Sequence, residues 1–83
     1  MSGEVLDKNS VRKLVVKLVM GGWTAKDEAR FSKRFMSYVQ SMYPSASVDT
    51  VQQGFALRGV PGVNCTASTE HGVWAVAARE LAR

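Results

Sequence analysis

The hydrophobic positions fall into a few clusters separated by glycine, proline and small polar residues. In the first, Val11, Leu14, Val15, Leu18 and Val19 recur at i, i+3, i+4, i+7 and i+8, the stripe of an amphipathic helix. The same stretch also alternates. Leu14, Val16, Leu18 and Met20 line one side, and Lys13, Val15, Lys17 and Val19 the other. Four valines favour a pleated strand, so Val11–Met20 is read as a strand, with a helix as the alternative. Gly21-Gly22 ends either element.

Thr24–Met42 predicts a helix. Thr24 is a good N-cap, and Asp27 and Glu28 put negative charge on the first turn, where the helix dipole favours it. Phe31, Phe35, Val39 and Met42 form the expected buried face, and Pro44 stops the helix after Tyr43. Farther on, Phe55, Leu57, Val63, Cys65 and Ala67 alternate with polar residues around Pro61-Gly62. That period of two predicts Val63–Ser68 as a strand paired with part of Val48–Leu57. A helix over Val48–Leu57 would carry Gly54 internally, at a cost of about 1 kcal/mol. Glu70–Arg83 predicts a final helix, capped by Ser68 or Thr69, with Trp74, Ala77, Ala78 and Leu81 facing inward.

The expected fold is therefore a small α+β (α/β) domain of two layers. Its order is β-α-β-β-α, with two helices on one face of a three-stranded sheet. The alternative is an all-α, helix-turn-helix-like bundle, which follows if Val11–Met20 and Val48–Leu57 are both helical. Residues Met1–Ser10 read as a loose leader, and 11–83 as one domain.

This layout, with Val39-Gln40-Ser41-Met42-Tyr43-Pro44 closing the first helix, resembles the small DNA-damage-inducible DinI family. Val63–Thr69, leading from a strand into the last helix, is similar too. The resemblance implies a strand, a helix ending in an aromatic-proline pair, two strands and a final helix. In that family the last helix is acidic and engages a recombinase. Glu70–Arg83 here balances two acids with two arginines, so no functional residue carries over.

Eighty-three residues suit a single domain, which buries only about 60% of the surface its unfolded chain exposes. So thin a core disfavours an enclosed active site and favours a binding surface. The longest apolar run, Leu14–Met20, is interrupted by Lys17, too short for a membrane span and a poor signal-peptide core. A single cysteine excludes an internal disulfide and points to the cytoplasm. The net charge is +4 and uneven. Lys8, Arg12, Lys13, Lys17, Lys26, Arg30, Lys33 and Arg34 face only Glu4, Asp7, Asp27 and Glu28 in the first half, whereas the rest of the chain is balanced. A basic half suits an anionic partner, nucleic acid above all.

Catalytic chemistry finds few candidates. Cys65 and His71 are the lone thiol and imidazole, with no third group to orient them. Cys65 reads as a small buried hydrophobe. No metal site is expected from one Cys and one His, and the glycines match no phosphate-binding or dinucleotide motif. The chain is expected to be neither an enzyme nor a cofactor carrier.

Two surfaces could bind. Lys26, Arg30 and Lys33, with Arg34 at the edge, lie on the helix face away from Phe31 and Phe35, positioned to grip phosphates. Lys13 and Lys17 would extend that surface if they lay nearby. The simpler reading of these residues is a solvated helix face. Trp23, Ala29, Met36 and Tyr43, with Ala25 and Val76, are apolar residues beyond the expected core, a candidate protein interface or homodimer contact unless they merely widen the core. The first function expected is thus a small regulatory protein binding nucleic acid or a nucleoprotein. The second is a protein-directed inhibitor or adaptor of the compact kind that phage and other mobile elements often encode.

Overall fold

The computed structural model describes residues 7–83. Seven elements follow one another: α1 (Lys8–Met20), α2 (Ala25–Arg30), α3 (Ser32–Met42), β1 (Ser47–Val51), β2 (Gly54–Arg58), β3 (Thr66–Ala67) and α4 (Glu70–Leu81). The α+β class and the three-stranded sheet are as expected. The element order is not, because three helices precede all three strands.

The strand expected over Val11–Met20 is helix α1. Asp7 caps it by accepting from the Ser10 N–H at 2.8 Å, and Val11, Val15 and Leu18 are buried along one stripe. The two periodicities compete within this segment, and the helical one wins because α1 packs against α4 and α3, not against a strand. Burial of that stripe outweighs the modest β preference of four valines. Lys8, Asn9 and Ser10, expected in a loose leader, form the first turn. Asp7 of that leader is the cap, and positions 1–6 lie outside the described residues.

The helix expected over Thr24–Met42 is divided at Phe31, which closes α2 and opens α3 with φ −103° and ψ 14°. Its start is as read from the sequence. Thr24 Oγ1 accepts from the Asp27 N–H, and Asp27 Oδ2 accepts from the Thr24 N–H, a reciprocal capping box. Phe35 and Val39 are buried as expected, but Tyr38 joins them while Met42 is left 45% exposed. The break at Phe31 explains the difference, since it re-aims the rest of the segment relative to α2.

Val48–Leu57 is not a helix but spans most of a hairpin. β1 and β2 pair antiparallel from Ser47↔Arg58 to Val51↔Gly54, turning at Gln52-Gln53. No non-glycine residue here has a positive φ, and Gly54 takes the strained position at +134°. As expected, β3 pairs with β2, at Phe55↔Ala67 and Ala56↔Thr66, and the Leu57 N–H donates to the Cys65 carbonyl at 3.0 Å. Pro61-Gly62 lies in the connecting loop.

The expectation of two helices covering the sheet is also corrected. α4 is the helix with the main contact to β2 and β3, and α1, α2 and α3 pack on the rest of α4. Its capping residue is Thr69, which accepts from the Gly72 N–H at 3.2 Å. Val73, Ala75, Ala77 and Ala78 are fully buried and Trp74 nearly so. A helix apolar almost all round must sit inside, and α4 does.

Gly54 offers a test of this arrangement. A Cβ built there would lie 2.5 Å from the Ala67 carbonyl oxygen, on top of the positive φ. Gly62, at φ +80°, has nothing within 4 Å. Gly54→Ala should therefore cost about 2–4 kcal/mol and Gly62→Ala about 1–2 kcal/mol in denaturant unfolding. Equal losses would show that β3 is not held against Gly54.

Candidate functional site

Helix α1 carries two kinds of side chain beyond its buried stripe. Lys13 and Lys17 are exposed on one flank, and Val16, Val19 and Met20 on the other. The Lys17 flank meets α2 and the start of α3 in a cleft of about 240 Å³, walled by Leu14, Lys17, Gly21, Arg30 and Phe31 among others. Phe31, half-buried at the α2–α3 break, is the centre of this region. The Arg30 guanidinium lies 5.2 Å from its ring centroid and that of Arg34 6.0 Å. Both fall within the range at which a cation is attracted to an aromatic face.

The structure therefore sets Arg30 and Arg34, from α2 and α3, beside one aromatic ring, and Lys17 of α1 lines the same cleft. Lys13 flanks Lys17 one turn earlier on α1, and Lys26 precedes Arg30 by one turn on α2. Lys33 is exposed, but on α3. The single-helix stripe expected for Lys26, Arg30 and Lys33 is corrected accordingly, since the break at Phe31 separates Lys33 from the other two. Among the described residues, Lys13, Lys17, Lys26, Arg30 and Lys33 form no ion pair; Arg58 with Asp49 and Arg83 with Glu80 do. Asp27 stands in the same cleft, but its carboxylate is engaged by Thr24. The sequence carries a signal for this site in Arg30-Phe31-Ser32-Lys33-Arg34, an aromatic between cations, which assigning Phe31 to the core obscures.

The expected apolar patch assembles only in part: Trp23 and Val76 line one cleft with Val19, while the others lie elsewhere. Trp23 stacks on Phe35, centroids 5.9 Å apart with ring planes 10° apart. Met36 and Tyr43 are half-buried against the core, and Ala29 is exposed apart from them. The apolar side chains left in solvent are instead Val16, Val19, Met20 and Met42. Seven apolar residues in α1 exceed what one buried stripe accommodates, and that surplus was legible in the sequence.

Cys65 and His71 form no hydrogen-bonded pair among the described residues. The Cys65 thiol points to the Val73 carbonyl at 3.8 Å, just before β3 and not within a strand. Burial pushes its pKa up, with the Glu80 charge acting in the same sense. A thiol held protonated is a poor nucleophile. No group of three or more His, Cys, Asp or Glu among the described residues is placed to hold a metal ion. No helix among them is long and apolar enough to cross a membrane. Searches of family models, curated proteins and solved structures find no match to this chain.

The raised Cys65 value has a definite sign. The folded state holds the proton that the unfolded chain releases above its ordinary value of about 8.5, so this stabilisation is complete below that pH and is lost as pH rises through the folded value. Iodoacetamide should accordingly label the native thiol more slowly than the urea-unfolded one at neutral pH. Cys65→Ser should remove the thiol's part in the alkaline loss of stability. Equal labelling rates in both states would contradict the burial.

Proposed function

We propose that this protein is a small non-catalytic regulatory binding protein. It engages nucleic acid, alone or within a nucleoprotein, through the basic face that α1, α2 and α3 form around Phe31. The observation that carries this reading is a half-exposed aromatic ring with Arg30 and Arg34 beside it and Lys17 lining the same cleft. Lys17 and Arg30, which form no ion pair among the described residues, can neutralise phosphates and release their counterions, and the ring beside them offers a stacking platform for a base. Lys13, Lys26 and Lys33 extend the positive field around that centre. A helical face of this kind grips the backbone more than it reads base edges, so affinity depends on salt more than on sequence. A lone half-buried thiol suits work in the reducing cytoplasm.

Fluorescence anisotropy with labelled single- and double-stranded oligonucleotides at several salt concentrations tests this. Lys17→Ala and Arg30→Ala should each lower the slope of log K against log salt by about one. Phe31→Leu should keep the slope but weaken single-strand binding by about 1–3 kcal/mol. Wild-type binding by a folded Lys17→Ala, Arg30→Ala, Lys33→Ala triple variant would sink the proposal.

A further inference from the structure

Across α1 from the basic face lies a second surface with a different chemistry. Helices α1 and α4 run antiparallel along it, because the Arg12 Nε–H donates to the Ala82 carbonyl at 3.1 Å while Val19 and Val76 share a cleft at the other end. That cleft has a volume of about 340 Å³ and is walled by Val19, Trp23, Glu28, Val76 and Arg79. Beside it, Val16, Val19 and Met20 stand 50%, 54% and 83% exposed at helical neighbour positions. Trp23 carries an anomaly. Its indole Nε1 is shielded from solvent and has no hydrogen-bond partner among the described residues. A donor buried without a partner is destabilising, and a small shift of the ring toward an incoming acceptor would relieve it.

The charges at the rim are mostly positive. Arg12 precedes Val16 by one turn, and the Arg79 guanidinium lies 6.0 Å from the Trp23 ring centroid. Arg83 follows Arg79 by one turn and is paired with Glu80 at 3.4 Å. Glu28 is the acid in the cleft wall; its carboxylate reaches toward the first turn of α4, near Gly72. An apolar floor with arginines at its edges is complementary to an apolar segment flanked by acids. Helix α1 of a second copy does not match that description, because its own exposed apolar residues are flanked by Arg12, Lys13 and Lys17 and not by acids.

We propose that this groove is the docking site for an acidic amphipathic helix of a partner protein. Two apolar side chains one turn apart enter at Val16–Met20 and at the Trp23 cleft, and flanking carboxylates meet Arg12 and Arg79. A peptide carbonyl or carboxylate at the cleft accepts from the Trp23 indole. From Arg12 to Val19 the groove runs about 10 Å at 1.5 Å per residue, which matches two turns of such a helix.

The probe is a synthetic helical peptide with leucines at i, i+4 and i+7 and glutamates on their flanks. Controls are a scrambled peptide of the same composition and a version with lysine for glutamate. The acidic amphipathic peptide should shift the Trp23 indole resonance and leave that of Trp74 in place. Val19→Asp should weaken it at least tenfold with the melting temperature and oligonucleotide binding unchanged. Should Val19→Asp unfold the protein, Arg79→Glu gives the same reading, and Trp23→Phe should weaken binding severalfold without loss of stability. No Trp23 shift at millimolar peptide, equal binding of the scrambled or lysine peptide, or wild-type binding by folded Val19→Asp or Arg79→Glu would each overturn the proposal. So would a groove already closed by self-association, seen as a Trp23 shift on dilution.

Discussion

The structure depends on how closely other elements approach α4. Ala75, Ala77 and Ala78 have no exposed surface, and Gly72 and Val73 extend the same small-residue surface through the first turns. Short side chains let β2 lie on one side of the helix and α2 and α3 on the other, so one helix is core to both layers. The larger side chains come from the surrounding elements. Phe35, Tyr38 and Val39 from α3 fill the space that alanines leave, and the Tyr38 hydroxyl donates to the Leu81 carbonyl at 3.4 Å near the end of α4. In so small a domain, this division between a thin centre and bulky surroundings is what allows a continuous core.

That arrangement separates what could be read from the sequence from what could not. The last helix and its Thr69 cap, the capping box at Thr24 and the pairing of the segment after Pro61-Gly62 with β2 all rest on local chemistry. The caps were legible, Thr24 outright and Thr69 as one of two candidates, because their contacts lie within a few residues. The pairing, between residues twelve apart at Phe55 and Ala67, was legible from the alternation around the Pro-Gly turn. The type of Val11–Met20 was not, since its apolar positions satisfy both periods and only contact with α4 decides between them. The division at Phe31 was hidden for a related reason. Periodicity assigned the ring wholly to the core, whereas it is half-buried, packed against the core on one side and within reach of Arg30 and Arg34. The hairpin at Gln52-Gln53 escaped because its turn residues are unremarkable. The glycine carrying the positive φ comes one residue later, at Gly54.

The same limits apply to the surfaces. Charge asymmetry pointed to the first half of the chain, and there Lys17 of α1 lines one cleft with Arg30 of α2. It could not show that the centre of that face is an aromatic ring. Counting apolar residues pointed to an excess but placed it on the wrong helix. Met36 and Tyr43 are drawn toward the core by the rotation of α3 after the break, and the excess surfaces on α1 instead.

Helix α1 thus has three functions in thirteen residues. One stripe is the anchor to α4, a second lines the basic cleft, and the third forms a wall of the apolar groove. A helix whose exposed side needed only solubility would alternate charges along it. Here Lys17 lies on the Phe31 side, and Val16, Val19 and Met20, with Arg12 among them, lie on the Trp23 side. Leaving Val16, Val19 and Met20 in water forgoes stabilisation that a domain of this size can ill spare. The core already contains the buried stripe of α1, so the packing of this chain does not require those three side chains to be apolar. The proposed docking helix accounts for their chemistry, as the proposed anionic partner does for that of the arginines around Phe31.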